Sequence, residues 1–170
     1  MYLTLERIAS FISFIFALLG GVVLVALTLL TVSSVTGRAL IPMGLGPIPG
    51  DFELVEAGVA FAVFAFLPWC QFNRGHASVE ILTQFLPGGI NRVLDVVIDV
   101  LMFAVAVLLF RQHGLGTLDK TAYGETTFIL QFPIWWAYAA ALSGAFVFVL
   151  VAGFCLLRSV RTLFAAERLP

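Results

Sequence analysis

Three long stretches of this chain carry no charge: residues 8–37, 57–73 and 126–157. A fourth, 93–110, is apolar apart from Asp95 and Asp99. A helix that crosses a bilayer needs about 20 predominantly apolar residues, because each adds about 1.5 Å against roughly 30 Å of hydrocarbon. Four such helices leave almost none of the 170 residues for a soluble domain. The fold expected is therefore all-α: a single domain, 1–170, whose transmembrane helices fall at about 8–35, 51–72, 91–113 and 132–157. Composition agrees, since 61% of residues are hydrophobic and 11% charged, where a soluble domain carries about 25% charge. A net charge of −1 offers nothing to nucleic acid.

The first apolar run, 8–35, is 28 residues long, well beyond the roughly 7–15 of a secretory signal. An uncleaved first helix is expected. The segment 41–50 holds Pro42, Pro47, Pro49 and several glycines, which exclude α-helix there. Pro68 falls in the last turns of span two and should bend or loosen them. In 76–87, Val79, Leu82 and Leu86 share one helical face while Glu80, Thr83 and Gln84 take the other. That pattern suits a short helix lying in the membrane interface, or an amphipathic connector packed on protein. Pro133 is expected in the first turn of span four, with Trp135, Trp136 and Tyr138 forming an aromatic belt at the membrane surface.

Basic residues set the orientation. With the N-terminus inside, the inner segments hold Arg7, Arg74, Arg92, Arg158, Arg161 and Arg168, and the outer ones Arg38, Arg111 and Lys120. Both termini are therefore expected in the cytoplasm. Cys70 and Cys155 then lie towards the same inner face, where a structural disulfide is not expected, and no metal-ligand spacing is present.

Few residues suggest chemistry. His76 and His113 are predicted near opposite membrane faces, so they do not pair as axial haem ligands. No cofactor, metal or catalytic group is expected. Asp95 and Asp99 share a helix face, with Arg92 one turn earlier. This cluster reads as structural pairing, with ion translocation as the alternative for an intramembrane acid. Asp51, Glu53 and Glu56 open span two where a helix N-terminus favours negative charge. Together with Arg38 they could form a docking patch on the outer face. Ala137, Ala141 and Ala145, beside Ala140 and Gly144, make a small-residue stripe in span four, and Gly58 and Ala62 lie in span two. Such stripes let helix backbones approach closely.

Three local patterns, in this order, resemble a known family. The first is Val35-Thr-Gly-Arg38, a short outer loop, then Asp51-Phe-Glu-Leu-Val-Glu56. The second is Gly75-His76-Ala-Ser-Val-Glu80, followed by Leu86-Pro87; the third is Phe132-Pro133-Ile-Trp135-Trp136-Ala-Tyr138. The chain resembles the small membrane (Q-type) subunit of a tripartite ATP-independent periplasmic (TRAP) transporter over nearly its whole length. It departs in Glu80, where aspartate is more usual, and in Ala39-Leu40, where an aromatic often follows the arginine. The resemblance implies a non-catalytic subunit of the bacterial inner membrane. Its implied partners are membrane lipids, a large sodium-coupled polytopic subunit and a periplasmic substrate-binding protein that captures small carboxylates. Two other classes stay open on the residues alone: a stand-alone proton-coupled exporter using Asp99, and a membrane anchor for a respiratory enzyme.

Overall fold

Uninterrupted apolar sequence without an internal proline gives the longest helix first. The structure, a computed structural model, describes residues 2–75 and 88–166. Helix α1 covers Tyr2–Ala39, 38 residues. Its Ser13, Thr28, Thr31 and Thr36 hydroxyls donate to carbonyls four residues back at 2.7–2.8 Å, which satisfies them inside an apolar surface. A 3-10 turn, Ile41–Met43, follows and closes on Gly44. Helix α2 is Asp51–Phe72, opened by Gly50 at φ 75°, a left-handed conformation only glycine adopts at little cost. A side chain there would also collide with Leu130.

Pro68 stands buried inside α2, and the helix continues through it to Phe72. Proline has no N–H for the Phe64 carbonyl four residues back. Gly144 packs on that carbonyl, so closely that a Cβ would lie 2.8 Å from its carbon and oxygen. Helix α3 is Gly88–Tyr123 and helix α4 is Ile134–Ala166. Pro133 stands one position before α4 rather than in its first turn, and its carbonyl accepts from Trp136 N–H at 3.1 Å. Among the described residues, four helices are long and apolar enough to cross a membrane. The helical pattern at 76–87, with His76 and Glu80, lies outside the described residues, as does Arg168.

The helices pack as a row rather than a square: α1 on α2, α2 on α4 and α4 on α3, with α1 also reaching α4 over a shorter length. Helices α2 and α4 are the inner members, and α4 is the more covered: half of its most apolar stretch is buried, against 17% for α2, 6% for α1 and 11% for α3. Phe148 and Ala152 of α4 close against Ala106, Met102 and Phe103 of α3, while Val147, Val151 and Cys155 meet Ile12 and Phe16 of α1. Register along α3 and α4 is fixed by Phe103 against Gly153 and by Phe110, whose ring lies 5.8 Å from that of Phe146. Helix α3 continues ten residues past 113, the end expected from sequence. Arg111 therefore faces the level of the middle of α4, not its end.

Candidate functional site

Polar side chains gather at the two ends of the row. At the end carrying both termini, α2 stops in a Schellman turn: Gly75 N–H donates to the Cys70 carbonyl at 2.9 Å and Arg74 N–H to that of Gln71 at 3.2 Å. Arg74 occupies the left-handed position of this turn, at φ 52°. That conformation turns its side chain back between α3 and α4. Its Nη1 meets Asp95 Oδ2 at 2.6 Å, and its Nη2 donates to Ser159 Oγ at 2.7 Å and lies 3.7 Å from Asp99 Oδ2. Asp99 is 3% exposed and also accepts from Ser159 Oγ and, at 3.1 Å, from Gln71 Nε2. A buried carboxylate is tolerated only when paired and hydrogen-bonded, and this one is both.

Arg158 reaches the Phe72 carbonyl at 3.4 Å and lies over the Phe72 ring, and the Cys155 thiol points at the Gln71 carbonyl at 3.7 Å. No disulfide joins Cys155 and Cys70. Arg92 lines a crevice of about 240 Å³ with Arg74, Asp95 and Arg158. The structure thus joins Asp95 and Asp99 through Arg74, with Arg92 at the rim. Arg74, Gln71 and Ser159 are the members that sequence spacing does not reveal.

At the opposite end, Ser34 of α1 donates a short hydrogen bond to Asp51 and accepts from Ile48 N–H at 3.2 Å, tying α1, the proline-rich loop and α2 together. Arg38 stands 4.0 Å from Asp51 with its side chain 64% exposed, a solvated pair worth little by itself. Glu53 does something different. Its two carboxylate oxygens accept from Ile129 N–H at 2.6 Å and Leu130 N–H at 2.9 Å, clamping the loop between α3 and α4 onto the start of α2. The same loop is closed by Thr127 N–H on Phe132 and by Ile134 N–H on Glu125, both at 3.0 Å, and its base by Lys120 on Glu125 at 2.6 Å.

Glu56 opens on a cavity of about 230 Å³ bounded by Glu53, His113, Thr127, Phe132 and Tyr138. His113 is held inside it, its Nε2 3.1 Å from the Tyr138 carbonyl and its ring stacked on that of Tyr138. Trp135 and Trp136 stay exposed while Tyr138 turns inward. Of the small-residue stripe, Ala141, Gly144 and Ala145 are buried, Ala137 borders the cavity and Ala140 faces outward. Gly58 packs against Leu27 and Ala62 is buried towards Gly20 of α1.

Among the described residues there is no cluster of potential metal ligands. The arrangement ties the helices to one another at two charged ends. Residues 27–164 match the family described as tripartite ATP-independent periplasmic transporters, DctQ component. No curated protein matches the chain, and no solved structure does.

Proposed function

The chain belongs to the DctQ component family of tripartite ATP-independent periplasmic transporters, and we propose that it is the non-catalytic scaffold of such a transporter, bracing a larger membrane subunit. The observation that carries this reading is the state of Asp99: among the described residues it is the most buried carboxylate, and it is held by Arg74, Gln71 and Ser159. A proton-coupled exporter would need that group open to substrate and water in turn. The outward faces of α1, with Phe11, Val22, Val25 and Leu29 exposed, need apolar neighbours from lipid or a partner.

On this reading the end carrying both termini is cytoplasmic, in the bacterial inner membrane, as the excess of arginine there favours. The opposite end is periplasmic, and Arg38, Asp51, Glu53 and Glu56 belong to the surface that receives a substrate-binding protein. Glu53 acts by shaping the loop at 126–133, and Arg38 by presenting an exposed charge. Substrate capture, expected to be of small carboxylates, and sodium coupling belong to the other two components.

Mild-detergent purification of the tagged chain from its native membrane should recover a large polytopic protein in near-equal amount. Recovery of the chain alone, with transport activity in vesicles that contain nothing else, would overturn the scaffold reading. In the reconstituted system, Arg38→Glu should lower sodium-driven uptake without lowering the amount of chain in the membrane. Unchanged uptake at equal expression would remove Arg38 from the docking surface.

A further inference from the structure

Arg111 is exposed on α3, and among the described residues it makes neither hydrogen bond nor ion pair. Its depth follows from packing. The Phe110 ring lies 5.8 Å from that of Phe146, and Gly114 stands opposite Leu142, so Arg111 is level with about 142–146 of α4. Helix α4 carries no charge from Ile134 to Leu157. Arg111 is thus near its centre, about 15–18 Å along the axis from either end at roughly 1.5 Å per residue. The other helices agree: Phe64, near the middle of α2, is the residue Gly144 touches. An arginine stem reaches only part of that distance, so snorkelling does not bring the guanidinium to water.

The face that carries Arg111 is defined by Leu101, Val105, Leu108, Leu115 and Leu118, all exposed, with Gln112 beside the arginine. It is distinct from the Met102, Phe103, Ala106 and Leu109 surface that packs on α4. Hydrocarbon cannot satisfy a guanidinium, and intramembrane arginines pair with carboxylates or free carbonyls. A second copy of this chain is a poor occupant, since a two-fold contact on this face would bring two Arg111 side chains together.

Resting on the scaffold reading above, we propose that this face of α3 is the contact with the large subunit, whose facing membrane helix supplies a carboxylate or uncovered carbonyl to Arg111, with Gln112 as a second hydrogen-bonding group. The leucines on either side supply the apolar contact, and the arginine sets register and partner choice.

The test uses the assembled complex in mild detergent. Arg111→Glu and Arg111→Leu should each lower recovery of the large subunit by at least about tenfold at unchanged chain level in the membrane, with Arg111→Lys retaining more. A photo-reactive phenylalanine at Leu108 should cross-link to the large subunit, which keeps the inference testable if Arg111→Glu is poorly inserted. Normal recovery with both variants, or cross-links only to lipid or to a second copy, would overturn it. If the unsubstituted chain recovers no large partner, the scaffold reading itself fails. If it does and both variants recover as much, only the assignment of this face fails.

Discussion

Arg74 occupies a position where glycine is the usual choice, because the left-handed backbone costs an ordinary residue about 1–2 kcal/mol. The cost is offset by what the guanidinium reaches: Asp95, Ser159 and the edge of Asp99. Glycine at this site would relax the backbone and lose the pairs, whereas alanine would keep the strain and lose them as well. Thermal unfolding in detergent should therefore rank wild type above Arg74→Gly and Arg74→Ala lowest, the last two separated by about 1 kcal/mol. Equal stability of the two variants would mean that the turn is not strained. The sequence places an arginine and a glycine after the last apolar residue of α2. It does not say which aspartate the arginine meets, because Asp95 and Asp99 lie on another helix, 21 and 25 residues along the chain.

Small residues act at the level of helix pairs, and their effect depends on what faces them. Gly144 sits on the Phe64 carbonyl that Pro68 leaves without its helical donor. Gly144→Ala must push α2 and α4 apart and should cost about 1–3 kcal/mol. Gly21 of α1 has nothing within 4 Å of where a Cβ would be, so Gly21→Ala should stabilise the isolated chain by up to about 1 kcal/mol. Chemical denaturation of the two variants in one detergent checks the contrast; a shift in the same direction for both would refute the assigned faces. Helix lengths matter here too. At 22 residues α2 is about as long as the hydrocarbon is thick, whereas α1 with 38 and α3 with 36 must tilt or project beyond it. Asp99 bonds to Gln71 in the last turn of α2. It therefore lies near the membrane edge, and α3 protrudes at its N-terminal end.

A row of helices exposes more side surface than a square bundle, which suits a part that must be held by neighbours. The chain's own burial is concentrated in α4 and its contacts, and large apolar side chains stay uncovered on α1 and α3. The Asp99 network fastens α2, α3 and α4 together at one end, and the Glu53 clamp fastens α2 to the α3–α4 loop at the other. If Asp99 is structural, Asp99→Asn should lower the stability of the complex by roughly 1–3 kcal/mol yet leave uptake per assembled complex near normal. Abolished uptake at normal assembly would return the residue to an ion pathway.

The class of protein, the number of membrane helices and which ends carry charge can all be read along the chain. Each of these follows from uninterrupted apolar length and local composition, which a helix in lipid must obey whatever surrounds it. The acids that open α2 and the small-residue stripe of α4 are legible for the same reason, as local patterns within one helix. Which side chains answer one another, and at what level along neighbouring helices each stands, emerges from the packing of the helices. Arg111 reads in sequence as the end of a span, because charge follows an apolar run; the register of α3 on α4 carries it to the middle. Partnership and depth depend on helix order and axial offset, and those are set by side-chain packing between segments far apart in the chain.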